Sequence, residues 1–216
     1  MNITALRPKF TGCLEPLANI FIRLRFTPNS VSMLSLLAGM GAAYLFFYQY
    51  FVSGAILLFV SAVLDLVDGT VARKTGRESK FGAVFDWIVD KYVDSIVILG
   101  IGLSGIAIIS GYFPIPAQYV PAADFAVVAI AIIGSLMNTF IKPVVYAEVG
   151  FEKREDGKID DPLERVGFFG RPETIIFLIL GGLTGFIAIA VILVAICTNL
   201  HIPKAASCRN RRRRRA

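Results

Sequence analysis

The chain has 216 residues, of which 56% are hydrophobic, and its mean hydropathy is +0.68 with a formal net charge of +6. This composition excludes an ordinary soluble domain and is typical of a multi-pass membrane protein with one compact domain. In such a protein, excess Lys and Arg mark cytoplasmic loops and contact with anionic lipid, so nucleic acid is not expected as a partner. The cysteines, Cys13, Cys197 and Cys208, have neither zinc-type nor disulfide-type spacing.

The first predicted element is an amphipathic helix over residues 14–26, which has apolar residues at helical spacing and Arg23 and Arg25 near its end. A helix of this kind lies in the membrane interface. The sequence TPNS at 27–30 combines helix-capping residues with Pro28, which suits a first helical turn. Residues 1–30 are therefore predicted to form a juxtamembrane segment ahead of the first span.

Long uncharged runs predict the membrane spans, because a helix needs roughly 20 apolar residues to cross a bilayer. These runs cover residues 31–52, 53–64, 95–123, 125–141 and 174–200. The last run is interrupted by GGLTG at 181–185, which favours two short helices over one tilted helix. The prediction is an all-α integral membrane domain of six helices over residues 31–203, followed by a basic tail at 204–216.

The distribution of charge predicts the orientation. Basic residues fall in the N-terminal segment, in the loops around residues 73–80 and 148–171, and in the tail, whereas the connections at 48–54 and 111–123 contain no Lys or Arg. With six spans, every basic segment falls on one side. By the positive-inside tendency this side is cytoplasmic, together with both termini, in a multi-pass protein of the cell membrane.

Five aspartates stand out between these apolar runs. Asp65 and Asp68 are three residues apart and share one helix face, Asp86 and Asp90 are four apart and share another, and Asp94 extends the second face by one turn. A short basic loop joins the two segments, which predicts antiparallel neighbouring helices with both pairs at the same depth near the cytoplasmic surface.

Four ionised carboxylates at one point would repel each other strongly in a medium of low dielectric constant. Divalent cations remove this repulsion, and carboxylate oxygens suit Mg²⁺ or Mn²⁺, with Ca²⁺ also able to bind. The pattern therefore predicts a site for one ion or for a bridged pair. The neighbouring residues suit a pyrophosphate. Gly69, Ala72 and Gly82 have little or no side chain, so a ligand can approach the helix backbone closely, and Arg73 can donate hydrogen bonds to phosphate oxygens.

These residues fit the pattern D-x2-D-G-x2-A-R-x8-G-x3-D-x3-D, with eight fixed positions over residues 65–90. This closely resembles the signature of the CDP-alcohol phosphatidyltransferase family of membrane enzymes, and the likeness extends to the six predicted spans. The resemblance implies an attack by an alcohol on the β-phosphorus of a CDP-linked lipid, CDP-diacylglycerol or CDP-archaeol, with release of CMP.

The resemblance also implies residue roles. Asp65, Asp68 and Asp86 would hold one metal, and Asp90 would join Asp65 and Asp86 around a second metal and act as the general base. The implied contacts with the CDP-lipid are Gly69, Arg73, Ser79, Gly82 and the stretch Pro28, Asn29, Ser30 and Val31. The family commonly forms homodimers. Asp94 is either a surface carboxylate or a supporting one that orients Arg73 or Lys91.

The acceptor is less well specified by the sequence. Residues 14–39 resemble the inositol-phosphate branch of the family, whereas FIKPVVYAEVG at 140–150 has Val144 and Tyr146 where that branch carries basic residues. A small polyol phosphate such as inositol phosphate is the expected acceptor, with glycerol 3-phosphate or serine as alternatives. The candidate contacts with the acceptor phosphate are Lys142, Lys153, Arg154 and Arg171.

Two other classes of function compete with the enzyme. A cation transporter also places carboxylates in the membrane, but it needs them near the midplane, whereas these aspartates flank a basic loop at the end of a span. A helical scaffold that only binds lipid is the third possibility. Neither alternative accounts for Gly69, Ala72, Arg73 and Gly82.

Overall fold

The computed structural model describes residues 7–149 and 169–213, with side chains for residues 14–141, 144 and 169–200. In that part of the chain, seven α-helices form and no strand is found. The helices are α1 (Arg7–Arg23), α2 (Pro28–Phe47), α3 (Phe51–Thr75), α4 (Lys80–Leu103), α5 (Val120–Val149), α6 (Arg171–Thr184) and α7 (Ile187–Arg213), and a 3₁₀ turn, Ala117–Tyr119, leads into α5.

Three of the described helical segments are long and apolar enough to cross a membrane: Pro28–Phe47, Phe51–Thr75 and Ala117–Ile141. A shorter apolar segment, Ile187–Leu200, lies in α7. The predicted all-α membrane class is therefore confirmed. The number of six spans stays a prediction, because α6 has only 14 residues and α4 carries several charges.

The helix ends follow from local sequence. Thr27 caps α2 by accepting a hydrogen bond from the Ser30 amide at 3.2 Å, and Pro28 occupies the first turn. Gly185, with φ of 80°, separates α6 from α7, which confirms the predicted division of residues 174–200.

The chain turns at residues 48–50, where Gln49 adopts a φ of 62°, inside the predicted connection at 48–54 and before the uncharged run ends at residue 52. One predicted boundary was wrong. The amphipathic helix was expected over residues 14–26, whereas α1 begins at Arg7 and ends at Arg23. It ends early because Arg25 has a φ of 60°, which no α-helix contains.

Helices α2 to α7 pack in a ring in the spatial order α2, α3, α6, α7, α5 and α4, and α1 lies against α3. The predicted meeting of the aspartates of α3 and α4 is confirmed, although the main packing partner of both helices is α2 rather than each other. Glycines allow α2 to pack closely on both helices: Gly39 and Gly41 of α2 lie against Val93 of α4 and Leu57 of α3, and Gly100 of α4 lies against the backbone of Ala43. The C-terminal part of α3 and the N-terminal part of α4 lie close enough for the short side chains of Asp65, Asp68 and Asp86 to meet.

The ring has two chemically different ends. At one end, Gln49 donates a hydrogen bond of 2.9 Å to the Ser104 carbonyl, which joins the turn after α2 to the end of α4. At the same end, Gly182 of α6 lies against Phe51 at the start of α3. At the other end, Lys74 of α3 forms an ion pair of 2.9 Å with Glu15 of α1. The aspartates of α3 and α4 belong to this second end.

Candidate active site

Three aspartates from α3 and α4 converge. Asp65, Asp68 and Asp86 each offer a carboxylate oxygen, and these oxygens all lie within 4.8 Å of one another. Asp65 and Asp68 are buried, and Asp86 is half-buried. The i, i+3 spacing of the first pair puts both side chains on the face of α3 that looks toward α4. The structure thus brings together three of the four predicted metal ligands.

The geometry of these carboxylates suits a divalent cation. Oxygens bound to one Mg²⁺ or Ca²⁺ ion lie at most about 4.2–5.2 Å apart, which is twice the usual metal–oxygen distance. The three oxygens all lie within 4.8 Å of one another, which is below the upper limit of about 5.2 Å for the larger Ca²⁺ ion. The donor set contains oxygen only, which matches a hard cation rather than zinc.

Asp68 is oriented by a contact that the sequence did not predict. The hydroxyl of Ser32, one turn into α2, donates a hydrogen bond to Oδ2 of Asp68. Ser32 is 4% exposed, and its hydroxyl also lies 3.2 Å from the Pro28 carbonyl. Because Ser32 and Asp68 are 36 positions apart, no local spacing could have indicated the pair.

Asp90, the fourth predicted ligand, lies in an ion-pair cluster around Arg171. Its Oδ1 lies 2.8 Å from Nη1 of Arg171, the first residue of α6. The same nitrogen donates a hydrogen bond of 2.7 Å to Oδ2 of Asp65. Arg171 therefore contacts carboxylates of both α3 and α4. Asp65 belongs to this ion-pair cluster and also to the group formed by Asp65, Asp68 and Asp86, which we call the metal cluster because its oxygens could bind a cation.

The start of α6 is held in place by its own sequence. Pro172 lies in the first turn, and the Glu173 carboxylate accepts a hydrogen bond of 2.9 Å from the Gly170 amide. Asn138 of α5 donates a hydrogen bond of 3.0 Å to the Phe169 carbonyl. These contacts place Arg171 at the rim of the ring, where it reaches α3 and α4 together.

Asp94 is buried behind this ion pair. Its Oδ1 lies 3.3 Å from Nε of Arg171, and its Oδ2 accepts a hydrogen bond of 2.8 Å from Lys91. Ser135 of α5 donates a further hydrogen bond of 3.3 Å to Oδ2. Of the two residues that Asp94 was expected to orient, it contacts Lys91, whereas Arg73 donates to the Thr70 hydroxyl instead.

Gly69 and Arg73 lie together on α3, next to the metal cluster. A Cβ atom at Gly69 would lie 3.5 Å from Nη1 of Arg73, so the guanidinium extends across the glycine. Arg73 is exposed. The absence of a side chain at Gly69 keeps the backbone open to a ligand that Arg73 could also contact.

The predicted nucleotide residues of α2 and α4 also meet. Ser79 caps α4 by accepting a hydrogen bond of 2.9 Å from the Gly82 amide, and a Cβ atom at Gly82 would lie 3.5 Å from Oδ1 of Asn29. Next to them is an open groove of about 380 Å³. It is lined by Phe26, Asn29, Ser30, Met33, Leu34 and Phe85.

Two parts of the predicted site lie elsewhere. Val31 is fully buried against Ala18, Val67 and Val71, so its side chain packs between helices α1, α2 and α3. Of the acceptor-phosphate candidates, Lys153 and Arg154 lie outside the described residues, as does the side chain of Lys142 on α5. Arg171 is thus the only one of these candidates whose side chain the structure describes.

Comparison with known proteins agrees with the sequence pattern. A family model described as CDP-alcohol phosphatidyltransferase matches residues 25–200. An archaetidylinositol phosphate synthase of Pyrococcus horikoshii is 30% identical over 194 residues, which cover 90% of this chain and 89% of that protein. A phosphatidylinositol phosphate synthase of Corynebacterium glutamicum is 37% identical over 82 residues, 38% of this chain and 37% of that protein.

The fold has counterparts among solved structures. The phosphatidylinositol phosphate synthase of Mycobacterium tuberculosis with bound CDP-DAG superposes with a TM-score of 0.67 at 22% identity. The superposition covers 89% of this chain and 90% of that one. The same enzyme with manganese and citrate gives a TM-score of 0.68 and covers 86% of its own chain.

Proposed function

This chain belongs to the CDP-alcohol phosphatidyltransferase family, and we propose that it joins the phosphatidyl or archaetidyl group of a CDP-linked lipid to a small polyol phosphate and releases CMP. The chain is therefore an enzyme of phospholipid biosynthesis rather than a cation transporter or a lipid-binding scaffold. The observation that carries the proposal is the grouping of three carboxylates within 4.8 Å beside the Asp90–Arg171 pair.

The metal cluster supports a divalent-cation cofactor, Mg²⁺ or Mn²⁺. Asp65, Asp68 and Asp86 would hold one ion. By the family pattern, Asp90 with Asp65 and Asp86 would hold a second. When bound, such ions neutralise the negative charge that develops on the phosphates as CMP leaves. The solved relative with bound manganese and the relative with bound CDP-DAG support the choice of cofactor and donor.

The CDP moiety would lie along the inner ends of α2, α3 and α4. Arg73 would donate to phosphate oxygens above Gly69, and Asn29, Ser30, Ser79 and Gly82 would contact the nucleotide or the start of the lipid. Pro28 begins α2 at this end, and the buried Val31 packs α2 against α1 and α3. The apolar part of the groove, with Met33, Leu34 and Phe85, suits the first carbons of the lipid tails.

Asp90 would act as the general base. The oxygen of the acceptor hydroxyl forms a bond to the β-phosphorus, its proton passes to the Asp90 carboxylate, and the bond from that phosphorus to the oxygen of CMP breaks. Asp90 is placed for this role because its carboxylate lies 2.8 Å from Arg171, our preferred contact for the acceptor phosphate, so a bound acceptor would have its hydroxyl near this carboxylate.

Arg171 is our preferred contact for the acceptor phosphate. Because Nε and Nη1 of Arg171 already contact Asp94, Asp65 and Asp90, a phosphate would accept a hydrogen bond from Nη2. The N-terminus of α6 adds the positive end of a helix dipole. An acceptor phosphate held there would keep its hydroxyl close to Asp90, since both groups contact the same guanidinium. This argument favours inositol phosphate or glycerol 3-phosphate over serine, which has no phosphate.

The membrane arrangement is proposed on the same basis. Residues 31–203 would form the six-span domain, between the juxtamembrane segment 1–30 and the tail 204–216. The active site and both termini would face the cytoplasm in a multi-pass protein of the cell membrane, and the enzyme would act as a homodimer. Lys142, Lys153 and Arg154 remain candidate contacts for the acceptor phosphate.

A panel of acceptors tests this function. Purified protein in detergent is mixed with Mn²⁺ and either CDP-diacylglycerol or CDP-archaeol. Inositol 1-phosphate, glycerol 3-phosphate, inositol or serine is then added, and CMP release is measured. We expect release with a phosphorylated polyol and not with inositol or serine. Release with serine alone would contradict the acceptor assignment, and no release with any acceptor would contradict the proposed function.

A further inference from the structure

A buried polar cluster lies behind the proposed active site, between α4, α5 and α6. Its centre is Asp94, which is 2% exposed and receives contacts from three side chains: Arg171, Lys91 and Ser135. None of the roles assigned above uses this carboxylate. Burying a charged group costs free energy unless the charge is paired. The Asp94 carboxylate is paired with two cationic side chains and also accepts a hydrogen bond from a hydroxyl, so its burial is compensated.

The two oxygens of Asp94 have different partners. Oδ1 faces Nε of Arg171 at 3.3 Å, and Oδ2 contacts Nζ of Lys91 at 2.8 Å and the hydroxyl of Ser135 at 3.3 Å. The Lys91 ammonium also lies 3.5 Å from the Ser135 carbonyl. The Asp94 side chain is therefore held by residues of α4 and α5 in addition to Arg171 of α6.

This fixed carboxylate sets the orientation of Arg171. A guanidinium is planar and rigid, so a contact at Nε determines where its Nη atoms point. With Nε toward Asp94, Nη1 reaches Asp65 at 2.7 Å and Asp90 at 2.8 Å. Without the contact at Nε, the long arginine side chain has several other rotamers available.

We propose that Asp94 is a positioning residue that holds Arg171 in the orientation needed to bind the acceptor phosphate. The inference rests on the proposed function, in which Arg171 contacts that phosphate and Asp90 takes the proton of the acceptor. Asp94 acts on the substrate only through Arg171. Its loss therefore affects the acceptor half of the reaction and leaves binding of the CDP-lipid intact.

The test compares Asp94→Asn, Arg171→Gln and the double variant, using inositol 1-phosphate, CDP-diacylglycerol and Mn²⁺. Losing a hydrogen bond between charged groups reduces binding by roughly tenfold to a hundredfold. We expect Asp94→Asn to raise the KM for inositol 1-phosphate by about this factor, with the KM for the CDP-lipid changed less than about twofold. In the Arg171→Gln background, Asp94→Asn should have little further effect.

Two variants control for a merely structural role. Asp94→Glu keeps the charge and should restore part of the acceptor affinity. Asp124→Asn is the matched control, because Asp124 also accepts several hydrogen bonds, from the amides of Ile108, Ile109 and Ser110, but lies at the opposite end of the ring. We expect Asp124→Asn to lower thermal stability and to leave both KM values unchanged.

Several outcomes would overturn the proposal. These are equal increases in both KM values, no change in either KM, or additive effects of Asp94→Asn and Arg171→Gln on the acceptor KM. If the wild-type protein releases no CMP with any acceptor, the proposed function fails by itself. The energetic coupling between Asp94 and Arg171 is then tested by thermal unfolding of the same three variants. Additive losses of stability would exclude such coupling.

Discussion

Asp65 connects two clusters that the sequence presents as one row of carboxylates. One of its oxygens belongs to the group of three that suits a divalent cation, and its Oδ2 accepts a hydrogen bond from Arg171. Asp90, one turn beyond Asp86 on α4, contacts the same arginine. Asp65 and Asp90 therefore share one guanidinium, while Asp65 also belongs to the group of three carboxylates with Asp68 and Asp86.

At the residue scale, Asp90→Asn tests the assignment of the base. The amide keeps the shape of the side chain but cannot accept the proton of the attacking hydroxyl. General-base catalysis typically contributes about 10²–10⁴-fold, so we expect kcat for CMP release to fall by about this factor. Thermal unfolding should show that the protein remains folded. Turnover close to that of the wild type would contradict the role of Asp90.

Ser32→Ala tests whether the metal ligands are oriented by α2. The hydroxyl of Ser32 fixes Asp68, and loss of a group that orients a metal ligand typically weakens metal binding by about 10–100-fold. We expect a corresponding increase in the Mn²⁺ concentration that gives half-maximal CMP release. A variant that needs no more Mn²⁺ than the wild type would exclude this role.

The matched control is Ser35→Ala, one turn further along the same helix. Ser35 is also fully buried, but its hydroxyl bonds to the backbone carbonyl of Ser61 at 2.9 Å and not to a carboxylate. Its loss should change stability without changing the dependence on Mn²⁺. An equal shift in both variants would show that loosening of α2, rather than the contact with Asp68, is the cause.

Much of this chemistry could be predicted from the sequence, because spacing along one helix determines which side chains share a face. Asp65 with Asp68, and Gly69 with Arg73, are of this kind. The contacts of Arg171 with Asp65 and Asp90 could not be predicted, since they depend on α6 packing against α3 across 106 positions of sequence. Ser32 and Ser135 were missed for the same reason.

At the element scale, the packing of α2 determines the separation of α3 and α4 at the site. Its small residues let α3 and α4 approach it from both sides, so these two helices do not close against each other. The sequence suggested a direct α3–α4 hairpin because only residues 76–79 separate the helices. A short loop fixes which ends are near each other, but the small faces of α2 fix the distance between the helices.

Gly100→Ala tests this packing. A Cβ atom at Gly100 would lie 2.5 Å from the Ala43 carbonyl oxygen, so α4 must move away from α2. Overpacking of this kind typically costs about 1–3 kcal/mol. For a protein of this size, the midpoint of thermal unfolding should fall by about 2–4 °C for each kcal/mol. CMP release should fall as well, because α4 carries Asp86 and Asp90.

Gly111→Ala serves as the control, since a Cβ atom there would meet its nearest neighbour, Ala107, at an ordinary 3.5 Å. We expect this variant to unfold at the same temperature as the wild type and to keep its activity. If Gly100→Ala were as stable as the control, the close approach of α4 to α2 would not determine the packing.

At the scale of the whole molecule, charge and aromatic residues separate the two ends of the ring. The end that holds the carboxylates carries Lys74, Arg77 and Arg171, whereas the turns at the other end contain no Lys or Arg in residues 48–50, 104–119 and 185–186. That second end exposes tyrosines, which favour the membrane–water interface. They are Tyr48, Tyr50, Tyr112 and Tyr119.

This asymmetry predicts which end faces the cytoplasm. In a variant with Cys13, Cys197 and Cys208 replaced by serine, single cysteines are introduced at Arg77 and at Tyr112, both exposed positions at opposite ends. By the positive-inside tendency, an impermeant thiol reagent added to intact cells should label Tyr112→Cys and not Arg77→Cys. Permeabilised cells should label both, which shows that each thiol is reactive. Labelling of Arg77→Cys alone in intact cells would place the carboxylates on the outer side and contradict this orientation.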